Sequence, residues 1–281
     1  MIARAAGSAV LLFTLSFGAS ASERSLGAAV QASPIRIVAT DAGFEAPDVV
    51  AAGLRHVVFE NRGREIHEAM LVKLAEGMSA GDYVNAVKAG ALFPKGALDY
   101  AGAGLTAPGE SVEVWLTVDP GNYILICWND AHARTTAVHP FVVEDRGVAD
   151  EAPPPADAVL ALIDYRFELR GRLHKGVQVL RVETPGPSMH EVDIFRLDDG
   201  KTVADLKRWR KDDGRGVAPA RALGGVLDGH DIRRVTWLRR SFRSGHYAFH
   251  CEMPLAADAK AGQTNVTHDD LGMVREFVIE D

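Results

Sequence analysis

The strongest constraint on this chain is an internal repeat. A single shift along the sequence aligns Glu60 with Glu183 and His67 with His190. Further pairs at the same spacing are Gly63 and Gly186, Glu68 and Glu191, and Asp82 and Asp205. The shift that aligns Cys127 with Cys251 is one residue longer. A period of this length indicates two copies of one structural unit. We therefore predict a tandem duplication.

The two copies are predicted to be separate domains. The first covers residues 35–146, the second covers 158–281, and a proline-rich linker at 147–157 joins them. The proline run should make this linker stiff. A length of 281 residues also suits two globular domains of ordinary size.

The first 22 residues are predicted to be a signal peptide. Arg4 supplies a positive start, an apolar run follows, and Ala19-Ser20-Ala21 has the small residues of a cleavage site. The apolar run is short for a membrane span, and no later stretch reaches the length of one. The mature protein is therefore expected to be periplasmic or secreted, without membrane insertion.

The charge balance argues against a nucleic-acid partner. The net charge is −7, whereas a phosphate-binding surface needs a clustered basic excess. One dense basic run comprises Arg233, Arg234, Arg239, Arg240 and Arg243. We interpret it first as a solvated strand face and turn, with a docking patch as the alternative.

Each repeat has the pattern of an all-β unit. Short alternating segments, such as 56–60, 69–74 and 111–118, are separated by Gly, Pro and Asp turns. One segment in each repeat, at 79–89 and 202–210, has helical spacing of its apolar residues. About seven short strands per repeat predict a small antiparallel β-sandwich with one short helical insertion.

The second repeat contains a set of possible copper ligands. Cys251 ends an alternating strand, and His268 and then Met273 follow from the segment behind it. His190 stands at the start of an earlier strand and supplies a second imidazole. A thiolate, two imidazoles and a weak axial thioether form the donor set of a blue-copper site.

The corresponding site in the first repeat is less complete. His67, Cys127 and His132 match three of the ligands, but Ala137 stands at the position of Met273. The sequence leaves open whether this repeat binds copper with three ligands, recruits His139, or is a degenerate copy. A disulfide between the two cysteines is the ordinary expectation in an exported chain. Their equivalent places in two units favour free, metal-directed thiols instead.

These ligands and their order resemble the cupredoxins, the family of plastocyanin and azurin. The resemblance covers both repeats and implies two tandem Greek-key β-sandwiches with copper as the cofactor. The segments Phe249-His250-Cys251 and 268–273 also resemble the carboxy-terminal ligand signature of multicopper oxidases and copper nitrite reductases. Those enzymes use additional His-x-His pairs, which this sequence lacks.

Two features depart from the cupredoxin pattern, and a third departs from the oxidase signature. Glu68 and Glu191 follow the first histidine of each repeat, where the family often has a small amide or hydroxyl residue. The ligand loop between Cys251 and His268 is unusually long. Glu252 follows the cysteine, where an oxidase would carry a histidine.

The function that follows is an exported copper protein working as a one-electron carrier. Its type 1 site is expected in the second repeat, and whether the first repeat also binds copper is an open question. The sequence does not identify the redox partner. The alternatives are a copper-delivery protein, a degenerate relative of multicopper oxidases or nitrite reductases, and a metal-free interaction module. An electron carrier or copper binder is favoured over a catalyst.

Overall fold

The structure is a computed structural model that describes residues 33–281, except 92, 129–137, 187, 213–215, 229–234 and 256–265. The described residues lie in one compact unit, Gln31–Asp281. The predicted signal peptide, His132, Ala137, Arg233 and Arg234 lie outside the described residues. No helix in the described part of the chain is both long enough and apolar enough to cross a membrane.

Strands dominate the described chain, which confirms the all-β prediction. In the first repeat they are β1 (Ile35–Thr40), β2 (Gly43–Glu45), β3 (Val49–Ala51), β4 (Gly53–Asn61), β5 (His67–Leu74), β6 (Ala97–Thr106), β7 (Ser111–Val118), β8 (Gly121–Ile126) and β9 (His139–Glu144). In the second repeat they are β10 (Ala158–Ile163), β11 (Arg166–Arg170), β12 (Gly176–Glu183), β13 (His190–Leu197), β14 (Ala220–Asp228), β15 (Val235–Phe242), β16 (Gly245–His250) and β17 (Val274–Ile279).

The strands form two sheets that both run through the two repeats. One sheet has the order β11-β10-β12-β15-β7-β4-β1-β2, and the other has the order β17-β16-β13-β14-β6-β5-β8-β9-β3. The repeats meet at two antiparallel pairs, β7 with β15 and β6 with β14. Equivalent strands follow in reverse order on either side of this junction, so the repeats are related by an approximate two-fold axis. The division into two domains stays a prediction, because both sheets are continuous across the junction.

The core lies between the sheets. Strand β4 shows why: its exposure alternates residue by residue, and its buried residues, such as Val57 and Phe59, face inward. A single apolar cluster contains buried side chains of both repeats, among them Phe59, Ile124, Leu180, Ile194 and Phe249. Burial of this shared core stabilises the two repeats together.

Each repeat has one described helix, as predicted. Helix α1 spans Ala80–Lys88 and helix α2 spans Val203–Lys211. Both begin with a capping box, in which Ser79 or Thr202 exchanges hydrogen bonds with the acidic residue three positions later. Leu206 of α2 packs in a small apolar cluster with Phe195 and Leu197 of β13. This contact fixes the helix over the outer face of the nine-stranded sheet.

The sequence patterns missed the strands β6 and β14, which form one of the two junctions. Both are rich in alanine and glycine, which have low strand propensity. Their glycines permit close approach: a Cβ atom on Gly225 would lie 1.9 Å from the Val192 carbonyl oxygen. Most strand pairs are antiparallel, as predicted, but three pairs are parallel: β1 with β4, β10 with β12 and β3 with β9.

The linker is tied to the first repeat by a buried arginine. Arg55 on β4 is 2% exposed. Its guanidinium donates hydrogen bonds to the carbonyl oxygens of Ala149 (2.7 Å) and Val148 (3.0 Å). The backbone N–H of Leu54 donates to Asp150 Oδ1 over 2.8 Å. The start of the linker is therefore held against the sandwich rather than hanging free.

Candidate metal centre

Three of the predicted ligands converge in the second repeat. One donor atom from each of His190, Cys251 and His268 lies within 4.8 Å of the others, and all three residues are buried. The Nδ1 atoms of His190 and His268 are 3.0 Å apart, and Cys251 Sγ is 3.5 Å from His268 Nδ1. Among the described residues this is the one group of three His, Cys, Asp or Glu side chains with such spacing.

The distances fit donors that share one metal ion. Metal–nitrogen bonds of about 2.0 Å and metal–sulfur bonds of about 2.3 Å place the donor atoms of one ion roughly 3 to 3.6 Å apart. The observed separations of 3.0 Å and 3.5 Å fall in this range. One thiolate sulfur and two imidazole nitrogens suit copper, and also zinc, better than a hard cation.

Strand pairing brings His190 and Cys251 together. His190 is the first residue of β13, and Cys251 directly follows β16. These strands are antiparallel neighbours in which Asp193 lies opposite His250. The start of one strand therefore lies beside the end of the other, although the two ligands are far apart in sequence.

The long ligand loop is closed at its base, close to the ligands. Leu255 N–H donates to the Val266 carbonyl oxygen over 3.0 Å, and His268 N–H donates to the Met253 carbonyl oxygen over 2.9 Å. Pro254 and Thr267 also form an antiparallel bridge. The position of His268 is therefore set by this pairing, and the loop length predicted to weaken the site does not disturb it.

Met273 reaches the same region of the chain. Its N–H donates to the His268 carbonyl oxygen over 2.9 Å, and its carbonyl accepts from Cys251 N–H over 3.2 Å. Gly272 precedes it with φ of 105°, a left-handed conformation that glycine adopts without strain. The Met273 side chain is fully buried in the same core cluster as Cys251. The backbone thus holds the predicted axial residue against two of the other ligands.

A carboxylate orients His190. Asp164 Oδ1 lies 3.0 Å from His190 Nε2, the ring nitrogen that faces away from the other ligands. A proton on Nε2 leaves the lone pair of Nδ1 for a metal. Burial tends to raise the pKa of Asp164, but hydrogen bonds from His190 and Ser188 outweigh it and hold the pKa below its usual value. Asp164 is therefore an ionised partner for this ring.

The two imidazoles are neutral and the thiol is protonated before a metal binds. Burial lowers the pKa of His190, and burial followed by the proximity of His190 lowers the pKa of His268 to about 4. Burial, then the nearby Glu191, raises the pKa of the Cys251 thiol well above its ordinary value. Metal binding must therefore displace one proton, from Cys251.

Glu191 joins the loops that carry the ligands. Its backbone N–H donates to Cys251 Sγ over 3.5 Å, and its Oε1 accepts from the N–H of Glu252 over 2.8 Å. In the first repeat, Glu68 Oε1 accepts from the N–H of Trp128 over 2.6 Å. The glutamate after the histidine thus binds the residue after the cysteine in both repeats. What looked like a departure from the cupredoxin pattern is a repeated structural contact.

Helix α2 holds both ligand segments with basic side chains. Lys207 Nζ donates to the Asp269 carbonyl oxygen over 2.9 Å, directly after His268. Arg210 Nε donates to Glu252 over 2.7 Å, directly after Cys251. The repeat offset places Val84 and Val87 at these two positions of helix α1. This charged support is therefore a property of the second repeat; comparison of the two helix sequences shows which residues differ, but not what they contact.

His250 has a supporting position in the same region. It is buried on β16, and its Nε2 lies 3.2 Å from Asp269 Oδ2. The contact connects the residue before Cys251 with the residue after His268. His250 thus belongs to the scaffold of the ligand segments, as its interpretation as a strand residue predicts.

The first repeat brings its ligands together less completely within the described residues. His67 and Cys127 are both buried, and His67 Nε2 lies 3.4 Å from Asp41, the equivalent of Asp164. His132 and Ala137 lie outside the described residues, so the three-ligand hypothesis stays a prediction. His139 is partly buried and its Nε2 lies 3.4 Å from Asp48.

Both cysteines are free and buried. The expectation of free thiols is therefore confirmed, and the alternative of a disulfide is wrong for this structure. The thiol of Cys251 is available to the histidines that surround it.

The chain was compared with known proteins. No protein family model matches it, and no curated protein matches it. Among solved structures, a multicopper oxidase shows 14% identity and a TM-score of 0.25, with 87% of this chain and 88% of that chain covered. Auracyanin from the photosynthetic bacterium Roseiflexus castenholzii shows 18% identity and a TM-score of 0.28, with 40% and 98% covered.

A copper-containing nitrite reductase from Thermus scotoductus shows 13% identity and a TM-score of 0.24, with 87% of this chain and 61% of that chain covered. The names of these neighbours are those of the protein classes that the sequence resembles. Identities and TM-scores this low do not identify a metal or an activity. Assignment of the centre rests on its donor atoms.

Proposed function

We propose that this chain is an exported copper protein that carries single electrons, with a type 1 copper site in its second repeat. The observation that carries the proposal is the convergence of His190, Cys251 and His268, with donor atoms at 3.0 Å and 3.5 Å. We assign Met273 as the axial ligand, because its backbone is bonded to both Cys251 and His268. Bound copper would supply one-electron exchange between its two oxidation states.

The residues of the chain support electron transfer by fixing the positions of the ligands and by excluding water from them. The side chains of His190, Cys251 and Met273 are fully buried, so solvent has little access to the donors. The Glu191 N–H directed at Cys251 Sγ stabilises negative charge on sulfur and adjusts the potential of the site. A coordination shell that cannot rearrange reduces the structural change that accompanies electron exchange.

Burial of the donors also favours a retained ion over a delivered one. A protein that hands over its metal needs ligands that a partner can reach, whereas His268 is 2% exposed and Cys251 is 0% exposed. Export rests on the apolar segment at the amino terminus and is part of the proposal. A second, weaker ion in the first repeat is compatible with His67 and Cys127 but is not needed for the function.

Addition of Cu(II) to the metal-free protein tests this proposal. We expect one copper ion to bind tightly to each chain. The bound ion should give an intense visible charge-transfer band that arises from the thiolate of the second repeat. Cys251→Ser should abolish the band and leave the circular dichroism unchanged, whereas Cys127→Ser, the matched control, should retain it. Repeated reduction and oxidation without loss of copper would separate an electron carrier from a delivery protein.

Two results would overturn the assignment. The first is a band that persists in Cys251→Ser and disappears in Cys127→Ser, which would move the site to the first repeat. The second is tight binding of Zn(II) with no coloured Cu(II) complex, which would indicate a structural zinc site.

A further inference from the structure

A groove rich in arginine lies where the two repeats meet, away from the metal centre, and most of its lining belongs to the second repeat. It has a volume of about 400 Å³. Its charged lining consists of Glu110, Glu113, Arg196, Arg221, Arg239, Arg240 and Arg243. Five positive and two negative side chains leave an excess of three positive charges, in a chain whose net charge is −7. We call this feature the arginine groove.

The two glutamates neutralise only part of this charge. Glu110 accepts hydrogen bonds from Arg240 and, over 2.6 Å, from Arg221. Glu113 accepts from Arg239 over 3.2 Å. Three guanidinium groups thus share two carboxylates within the wall of the groove.

The other two arginines have donors to spare. Arg196 donates to the Ser244 carbonyl oxygen over 3.1 Å and has no carboxylate partner among the described residues. The guanidinium of Arg243 forms neither a hydrogen bond nor an ion pair with any residue that the structure describes, and it is exposed. Both side chains can therefore bind an added anion without breaking an internal ion pair.

The fold does not require arginine at three of the five positions, those of Arg239, Arg240 and Arg243. Tyr247 OH donates to the Arg243 carbonyl oxygen over 2.8 Å, and in the first repeat Tyr123 OH donates to the Asp119 carbonyl oxygen over 3.1 Å. Asp119 therefore occupies the place of Arg243 in the same backbone geometry. Trp115 and Leu116 stand in the places of Arg239 and Arg240. At these three positions the second repeat carries positive charge that the first repeat lacks, whereas Arg196 corresponds to another cation, Lys73.

Two of the arginines in the groove face each other across the sheet, and Glu110 offsets the charge of only one of them, Arg221. Arg196 on β13 lies directly opposite Arg221 on β14. Like charges at directly opposed positions of an antiparallel pair destabilise the sheet. An anion between the guanidinium groups would turn this repulsion into a favourable interaction.

We propose that the arginine groove binds a small anion that carries at least two carboxylate or phosphate groups. Planar guanidinium groups match both kinds of oxyanion through paired hydrogen bonds. The groove volume falls in the range of small-molecule sites and exceeds what a single inorganic ion needs. Arg196 lies near the far end of β13 from His190, about 20 Å away at roughly 3.3 Å per residue. The anion is therefore not a copper ligand, and this site does not depend on the proposed function.

Calorimetric titration of the full chain tests this site, with citrate and pyrophosphate as separate probes and sodium chloride at equal ionic strength as the reference. We expect saturable binding of one probe molecule per chain. Arg196→Gln and Arg243→Gln should each weaken it by about tenfold or more, because each removes charge-assisted hydrogen bonds. Arg208→Gln, an exposed arginine on helix α2, is the matched control and should bind as tightly as the unaltered protein.

Binding of citrate would show that the groove recognises carboxylate groups, and binding of pyrophosphate would show that it recognises phosphate groups. The proposal is wrong if neither probe binds in a saturable way. It is also wrong if Arg196→Gln, Arg243→Gln and Arg208→Gln all bind equally well. Circular dichroism of each variant without ligand shows whether it is folded, and a folded Arg243→Gln alone suffices for the comparison.

Discussion

The contact between Asp164 and His190 allows a sharp test of the metal centre. Removal of the carboxylate in Asp164→Ala leaves His190 Nε2 without its partner at 3.0 Å, so the ring can change its tautomer and its orientation. Loss of such a contact lowers metal affinity by about 10- to 100-fold, which corresponds to about 1.4–2.7 kcal/mol. Asp164→Asn keeps an oxygen that can accept the hydrogen bond, and we expect it to lose about tenfold or less.

The first repeat supplies the matched control. Asp41 holds the equivalent place beside His67, at 3.4 Å, so Asp41→Ala makes the same chemical change in the other copy. Copper affinity is measured by competition with a chelator, and the charge-transfer band reports occupation of the second repeat. Copper-free variants are compared by denaturant unfolding to confirm that each is folded.

Copper affinity in the second repeat should be highest, and equal, in the unaltered protein and Asp41→Ala. It should be lower in Asp164→Asn and lowest in Asp164→Ala. Equal affinity in all four proteins would refute the role of Asp164 in orienting His190. A loss in Asp41→Ala equal to that in Asp164→Ala would show that the first repeat contributes to the measured ion.

Three further predictions concern the scaffold. Lys207→Met should increase the rate of copper dissociation by up to about tenfold, because the charge-assisted hydrogen bond to the Asp269 carbonyl is lost. The rate is measured after mixing with a chelator, and an unchanged rate would contradict this prediction. Burial, then Glu68, raises the pKa of Asp193 from 3.8 to about 7, so the folded state keeps a proton that the unfolded state releases. The unfolding free energy of the copper-free protein should therefore decrease between pH 5 and pH 7, and this group contributes up to about 1.4 kcal/mol per pH unit. In denaturant unfolding, the free energy of Asp193→Asn should decrease less steeply over the same range. Equal slopes would show that Asp193 is ionised in the fold. Arg55→Met should cost about 2–4 kcal/mol of unfolding free energy, because the buried guanidinium loses its hydrogen bonds to backbone carbonyls such as those of Val148 and Ala149. Exposed Arg36→Met should cost less than about 0.5 kcal/mol.

Local patterns were sufficient for much of the fold. The alternation of buried and exposed residues in β4 and the capping residues of helices α1 and α2 depend on neighbours in sequence, so they could be predicted. The order of His190, Cys251, His268 and Met273 also indicated a thiolate and imidazole site. The glycine-rich strands β6 and β14 gave no such signal, because their pairing depends on close approach to neighbouring strands rather than on their own propensity.

The sequence by itself determined that the chain is a duplication of an all-β unit and which residue types could bind a metal. Tertiary structure decided how the copies join, because pairing of β6 with β14 and β7 with β15 involves residues far apart in the chain. It also decided the support of the site: Glu191 bonds to Glu252, and Lys207 of helix α2 bonds to the segment after His268. These contacts follow from the packing of whole elements against each other, and the spacing of residues along one chain carries no record of that packing.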